Sequence, residues 1–441
     1  MTSLMRPQAP TSTTNLLLRI LERPGLVAAV RELPGPVLGQ LIDRIGLEDA
    51  GELVALASTQ QLERVFDEDL WRAERAGGDE TFRPERFALW LKVMLEAGDE
   101  AVVRRLCELP EELVALGVHR LVLVIDEDVM EELLRPGDEE SEDLQRALDD
   151  SAFEEWEEFR LIAREPDAWE DVWNALLLLD RDHHDRLRTI LQRCCDMTTE
   201  FISGQGGLFQ VLTSDEMLES DVAAAREDRR GAEGFVSPAD ARAFLQLARQ
   251  SDGAGAQQER DAITRAYFRG LATPPASSNA ATAHAGALPS LERGSQAVAS
   301  GEARELAALL HEGELSTPAG AGVPLLAALG KAPSKAGESR QVAPIFERAL
   351  SDLRRRDPDR FADRVREVGY LVNVWIAGGS AEGRRPRPVE ALEVVLATCE
   401  AGMKAQAGAS PATAAEALAT LVQWPADMLF RRGLRGAGGA K

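Results

Sequence analysis

The amino-acid sequence predicts an all-α protein, in which short paired helices form an α-solenoid-like array or an irregular multi-helix bundle joined by flexible linkers. Apolar residues recur three and four positions apart along most of the chain, which is the spacing of one helix face. Ala and Leu are abundant and favour helix, while aromatic residues make up only 5% of the chain. Strands are rich in aromatic residues, so this composition argues against large sheets.

Capping residues mark individual helices. A helix is expected between Pro36 and Gly46, because proline is easily accommodated at the start of a helix and glycine at its end. Ser58 is a predicted N-cap, and Ser237, which precedes a proline, marks a further helix start. The apolar run 121–125 fits either a short strand or a buried helical turn.

Charge is distributed unevenly along the chain. Residues 138–171 contain fifteen Asp and Glu against three Arg, whereas residues 340–387 contain eleven Arg against seven Asp and Glu. The acidic window still carries an apolar stripe that includes Phe153, Trp156 and Phe159, so it is interpreted as a charged helix. The opposed charges predict either mutual attraction or separate partners for the two regions.

These features predict a division into domains, linkers and tails. The predicted segments are a disordered tail (1–13), a helical-hairpin domain (14–135), an acidic central helical domain (136–250), a linker with one helix at about 257–269 (251–302), a mildly basic C-terminal helical domain (303–432) and a second disordered tail (433–441).

Composition also narrows the function classes. A net charge of −24 repels phosphate backbones and anionic membrane surfaces, so nucleic-acid binding is not expected. Four Cys without regular spacing indicate a reducing compartment rather than a disulfide-bonded scaffold. Neither a signal peptide nor an apolar run long enough to span a membrane is recognised, so the predicted location is cytoplasmic.

Three groups of acidic and His residues are candidate divalent-metal ligands. Asp180 and His184 are four residues apart and share a helix face, which permits joint coordination. Acidic triplets could supply oxygen ligands through Asp67 and Asp69 in one case and Asp126 and Asp128 in the other. The simpler explanations are a polar helix face and acids that stabilise helix N-termini. No cofactor is predicted, and a divalent metal remains an open alternative.

A glycine-rich segment has part of a phosphate-binding pattern. Gly378 and Gly383 have the spacing of the two glycines of a P-loop, but Arg384 and Arg385 stand where Lys and Ser or Thr are required. A loop between helices explains the glycines equally well. The alternative is a site for a phosphate or a partner's carboxylate, formed by Gly378, Gly379, Gly383, Arg384, Arg385 and Arg387.

A second arginine group lies at helical spacing. Arg226, Arg229 and Arg230 alternate with acidic residues, which is typical of a solvated helix face. The alternative is a docking patch for an acidic partner.

Three long stretches resemble the signature stretches of a bacterial family of domains of unknown function, family 6178. They are GLEDAGELVALASTQQLERVFDEDLW (46–71), EGFVSPADARAFL (233–245) and GYLVNVWIAGGSAEGRRPRPVEALEVVLATC (369–399). The resemblance spans nearly the whole chain and implies no activity or catalytic residue. Residues 33–71 are also similar in helix pattern to the N-terminal domain of bacterial magnesium transporters, which implies a superhelix of short helices with acidic surfaces.

The function expected from the sequence is non-enzymatic. Short helices, opposed charges and a long linker favour a scaffold, adaptor or regulatory subunit that binds a protein partner; self-association is left open. The alternative is an enzyme or sensor with a carboxylate metal site, and a remote alternative is phosphate or nucleotide binding at 378–387.

Overall fold

The computed structural model describes residues 26–134, 151–203, 213–250, 262–272, 344–381, 383–406 and 413–438. These residues are mostly helical and include only small antiparallel sheets, which confirms the predicted fold class. The predicted tail 1–13, most of the linker 251–302 and the start of the predicted C-terminal domain lie outside the described residues. Among those that are described, no helix combines the length and apolar character needed to cross a membrane.

Contacts divide the chain into two compact units. Among the described residues, unit 1 comprises those up to Arg226 except 73–80, and unit 2 comprises 73–80 and those from Glu227 onward. The predicted boundary after residue 135 therefore falls inside unit 1. The boundary between the units lies within one helix, where no linker composition marks it.

Unit 1 is built from short helices followed by a long helix that is kinked at His183. Its helices are α1 (Leu26–Glu32), α2 (Gly35–Ile45), α3 (Gly51–Leu56), α4 (Thr59–Asp69), α5 (Pro84–Glu96), α6 (Asp99–Glu108), α7 (Glu111–Leu121), α8 (Glu127–Leu133) and α9 (Trp169–Ser203). The next helix, α10 (Ser214–Ala232), begins in unit 1 and ends in unit 2.

Two predicted helix boundaries of unit 1, at Gly46 and Ser58, are confirmed. Helix α2 ends at Ile45, and Gly46 follows with φ of 102°, a left-handed conformation that glycine adopts without strain. Ser58 caps α4 in a capping box with Gln61. The buried Gln61 amide also donates to the carbonyls of Val30 and Leu33 at 2.7 and 2.6 Å, which satisfies groups at the end of α1.

The described residues also include five short strands, two of which, at 153–156 and 159–163, lie where a charged helix was predicted. Strands β1 (Trp71–Ala73) and β2 (Glu80–Phe82) form a two-stranded sheet. Strands β3 (Val122–Asp126), β4 (Phe153–Trp156) and β5 (Phe159–Ala163) form an antiparallel sheet in the order β3-β5-β4.

The run 121–125 was predicted as either a strand or a helical turn, and most of it forms strand β3. The charged helix expected across 153–163 was wrong. Phe159 and Leu161 are buried on either side of Arg160, so the burial follows the two-residue period of a strand.

Unit 2 packs helices around its own apolar core. The helices that follow α10 are α11 (Pro238–Gln250), α12 (Ala262–Ala272), α13 (Ile345–Arg356), α14 (Pro358–Gly378), α15 (Pro388–Gln406), α16 (Ala414–Gln423) and α17 (Ala426–Gly438). Ser237 caps α11 as predicted, since its hydroxyl accepts from the Asp240 N–H at 3.1 Å. The core includes Phe244, Tyr370 and Phe430, which are fully buried.

The prediction of a disordered tail at 433–441 was wrong for residues 433–438, because α17 continues to Gly438. The glycines of this segment are needed for packing. A Cβ at Gly433 would collide with the Thr398 carbonyl of α15, and a Cβ at Gly402 would collide with the Leu429 carbonyl of α17. Glycine at these two positions therefore lets α15 and α17 approach closely, and Leu434 packs against the core of unit 2.

Candidate functional site

The predicted pair Asp180 and His184 lies together on α9. His184 Nδ1 is 2.8 Å from Asp180 Oδ1, as their four-residue spacing predicted. The other ring nitrogen, Nε2, is 3.3 Å from Glu157 Oε1. Glu157 lies in the two-residue turn between β4 and β5 and has φ of 49°, an uncommon value for a residue other than glycine. Three residues from two distant segments therefore form one cluster, the His184 cluster.

The electrostatics of the His184 cluster favour the protonated imidazole. The hydrogen bond that His184 donates to Asp180 raises the pKa of His184, and the negative charge of Glu157 adds to this effect. The Trp156 ring lies beside the imidazole, with the ring centres 5.2 Å apart. His183, the preceding residue, interrupts the helical backbone of α9 with φ of −145° and ψ of 54°.

This geometry suits an ion pair better than a metal site. The two ring nitrogens of His184 each face a carboxylate, so neither points together with those carboxylates at a shared ion. Across the residues that the structure describes, no group of three or more His, Cys, Asp or Glu side chains is arranged to hold a metal ion.

The acidic candidates Asp67 and Asp69 bond inside unit 1. Asp69 Oδ2 accepts hydrogen bonds from Arg86 Nε and Trp90 Nε1, both at 2.6 Å. Asp67 is buried, and its Oδ2 is 3.6 Å from Arg64 Nη1. Both carboxylates therefore have partners within the fold that compete with any ligand.

The second acidic pair lies at the start of α8. Asp126 Oδ1 accepts from the Asp128 backbone N–H at 2.9 Å, so Asp126 is a helix cap. Asp128 itself is exposed to solvent. The capping role that the sequence offered as the simpler explanation thus applies to Asp126.

The glycine-rich segment forms a compact loop between α14 and α15. Gly378 ends α14 and Gly379 follows it, while Gly383 has φ of 83° within the turn. The Arg384 guanidinium donates to both carboxylate oxygens of Glu390, at 2.9 and 2.5 Å. This contact and the Arg387 backbone N–H lower the pKa of Glu390 to about 2.

The neighbouring Arg385 bonds within unit 2 as well. Its Nη1 is 3.2 Å from Glu80 Oε1, and Glu80 also accepts from Arg230 at 3.0 Å. Arg384 and Arg385 therefore hold carboxylates of this chain in the positions where a phosphate was considered. The Arg387 side chain is exposed.

The arginines of α10 are not a solvated patch. Arg226 is buried over the Trp71 ring, 5.0 Å from its centre, and its Nε donates to the Asp67 carbonyl. Arg230 is buried over Phe235, and Arg229 is partly exposed. Two of the three candidate side chains thus face the interior, which does not favour the docking-patch interpretation.

A shallow groove follows one face of α11 in unit 2. It encloses about 410 Å³ and is lined by Arg242, Leu245, Gln246, Arg249, Gln250 and Gly378. Arg242 is anchored there, because it donates to the Gly77 carbonyl at 2.5 Å and to Asp79 at 2.8 Å.

The buried cysteines are poorly suited to act as nucleophiles. Burial raises the pKa of Cys194 to about 12 and also raises that of Cys195. Their thiolates are therefore scarce at neutral pH, which argues against a nucleophilic role.

A partly exposed apolar row lies on α9. Trp169 and Trp173 stack with their ring centres 6.0 Å apart and their planes 10° from parallel. Leu177, four residues further on, keeps 41% of its surface exposed. We call these three residues the aromatic ridge. The four-residue spacing is visible in the sequence, but the side of the helix that remains uncovered is known only from the packing of unit 1.

The comparisons bear on the region that contains both the His184 cluster and the aromatic ridge. Residues 9–202 match the family of unknown function DUF6178. The resemblance predicted from 46–71 is thereby confirmed, while 233–245 and 369–399 lie beyond the DUF6178 match and their resemblance stays a prediction. No curated protein and no solved structure matches the chain. The likeness of 33–71 to magnesium transporters is accordingly not shown.

Proposed function

We propose that this chain is a non-catalytic helical interaction protein that acts as a scaffold, adaptor or regulatory subunit. The observation that carries the proposal is the aromatic ridge, where two stacked tryptophans and Leu177 remain partly uncovered on one helix. Tryptophan is strongly enriched among the residues that dominate protein–protein binding. Large apolar side chains that are grouped on a surface typically mark a binding site.

The polar candidates support the same proposal indirectly. Asp69, Asp126, Arg226 and Arg384 each bond to another group of this chain, and these contacts account for their positions without a substrate. The metal-dependent alternative has no assembled ligand set within the described residues. The phosphate alternative would require Arg384 and Arg385 to exchange Glu390 and Glu80 for the ligand.

The test is purification of the full chain from cells that produce it at its natural level. We expect a stoichiometric protein partner at low salt and its loss at about 0.5 M salt, because a chain of net charge −24 attracts cationic partners through screened interactions. A tag-only preparation is the control. A chain that recovers no stoichiometric partner after chemical cross-linking contradicts the proposal.

A further inference from the structure

The aromatic ridge has a definite shape. Trp169, Trp173 and Leu177 are four residues apart in turn, so they form a row of about 12 Å along α9. The neighbouring face of the same helix is buried in unit 1 through Val172, Leu176 and Leu179. The ridge is therefore fixed in place by a packed helix and does not depend on a mobile loop.

The charged residues at the N-terminal end of the ridge are mostly acidic, with Arg164 as the exposed cation that precedes them. Glu165, Asp167 and Glu170 lie at its N-terminal end, are exposed, and form no ion pair among the described residues. Arg181 lies beyond its C-terminal end, but this cation is already 2.9 Å from Asp182 and 3.7 Å from Asp99. An occupant of the ridge thus meets apolar surface bordered by unneutralised carboxylates.

We propose that the aromatic ridge binds a basic amphipathic helix of a partner protein. A row of side chains on one helix packs between the rows of another, so apolar residues spaced three and four apart on the partner fit between Trp169, Trp173 and Leu177. Lys or Arg beside that apolar stripe would face Glu165, Asp167 and Glu170. This inference rests on the proposed function, since it specifies the partner of the interaction protein.

The charge pattern favours a cationic helix over a second copy of the chain, nucleic acid or anionic lipid. A second copy of the chain would bring the same acidic residues and the same net charge of −24, and like charges oppose such a contact. Nucleic acid and anionic lipid would be repelled by the same border. A cationic helix satisfies both the apolar row and the carboxylates.

The direct test uses a synthetic peptide of about 18 residues, in which Leu forms one helical face and Lys the other. The full chain is titrated against the labelled peptide by fluorescence anisotropy, and tryptophan emission is followed in parallel. We expect saturable binding that weakens between about 0.05 and 0.5 M salt. A scrambled peptide of the same composition controls for general attraction to an acidic protein and should bind at least about tenfold more weakly.

A matched pair of variants locates the site. Leu177→Ala should weaken binding about fivefold to tenfold, because it removes an exposed apolar contact of the ridge. Leu247→Ala is the control, since Leu247 lies on α11 and is 43% exposed against 41% for Leu177. Both substitutions remove exposed side chains, so both variants should fold, and circular dichroism checks this.

Each contrary outcome has a separate meaning. Equal binding of a Leu and Glu peptide, equal binding of the scrambled peptide, or no effect of Leu177→Ala overturns the inference. Dimerisation of the chain that Leu177→Ala abolishes shows that the ridge binds a second copy and also overturns it. If a stoichiometric cellular partner is recovered equally by Leu177→Ala and the unaltered chain, the proposed function stands and only the inference fails.

Discussion

Two contacts between a cation and a carboxylate lie at opposite depths in this protein. In unit 2, Arg364 Nη1 is 3.0 Å from Glu367 Oε1, and the Glu367 side chain is only 2% exposed. In unit 1, His184 Nδ1 is 2.8 Å from Asp180 Oδ1, and the His184 side chain is 46% exposed. The geometry of the two pairs is similar, but their contributions to the free energy of unfolding differ.

The buried pair of unit 2 forms hydrogen bonds with backbone groups at two helix ends. Arg364 donates through Nε to the Leu421 carbonyl at 2.9 Å, near the end of α16. Glu367 Oε2 accepts from the Ala426 N–H at 2.8 Å, at the start of α17. Helix ends carry unpaired carbonyl and N–H groups, so this one ion pair satisfies groups that burial would otherwise leave unbonded. The exposed pair of unit 1 has water available on its open side.

The largest predicted effect follows from removal of one buried charge. Glu367→Gln should lower the free energy of unfolding of unit 2 by about 3 kcal/mol, because Arg364 would remain buried without its countercharge. Urea unfolding measures this value. Glu393→Gln is the matched control, since Glu393 is exposed on α15, and it should change stability by less than about 0.5 kcal/mol. Similar values for the two variants would contradict the importance assigned to depth.

His119 provides an intermediate case. It is buried in α7, and its Nε2 is 3.6 Å from Asp215 Oδ1. Burial lowers its pKa from 6.5 to about 4, and the cations Arg164 and Arg120 act in the same direction, against the opposing effect of Asp215.

The unfolded chain therefore binds a proton at His119 that the folded chain does not bind between pH 6.5 and 4. The stabilising contribution is complete above pH 6.5 and is lost as the pH falls towards 4. We expect unit 1 to lose about 2 kcal/mol over this window, after allowance for partial solvent screening. His119→Gln should remove this component of the acid sensitivity in unfolding curves recorded at several pH values. An unchanged pH dependence in the variant would refute the assignment to His119.

The sequence predicted the local part of the exposed cluster and missed the distant part. Asp180 and His184 are four residues apart, so their spacing predicted the contact, which is kept although the helix is kinked at His183 between them. Glu157 reaches His184 only because β4 and β5 form a hairpin. The turn contains Glu157 and Glu158 instead of the Asn and Gly that usually signal a hairpin, and the surrounding acidic residues were interpreted as a charged helix.

The burial of the arginines of α10 could not be predicted from the sequence either. Mixed charge at helical spacing is typical of a solvated face, yet Arg226 stacks on Trp71 and Arg230 on Phe235. Each aromatic partner was visible in the sequence, but its distance from the arginine depends on tertiary packing. Long apolar stems allow arginine to be buried while its guanidinium bonds to a carbonyl or a carboxylate.

The smallest predicted effect concerns His184 itself. The hydrogen bond that His184 donates to Asp180 raises the pKa of His184. The contact therefore contributes stability at pH values below the ordinary histidine pKa, and this contribution is lost as the pH rises through the raised value. NMR titration of the imidazole should give a pKa above 6.5, and Asp180→Asn should lower it. Asp182→Asn is the matched control, because Asp182 is an exposed acid of the same helix that pairs with Arg181 instead. A larger decrease with Asp182→Asn than with Asp180→Asn would show that general surface charge, and not the contact within the His184 cluster, sets the protonation of this residue.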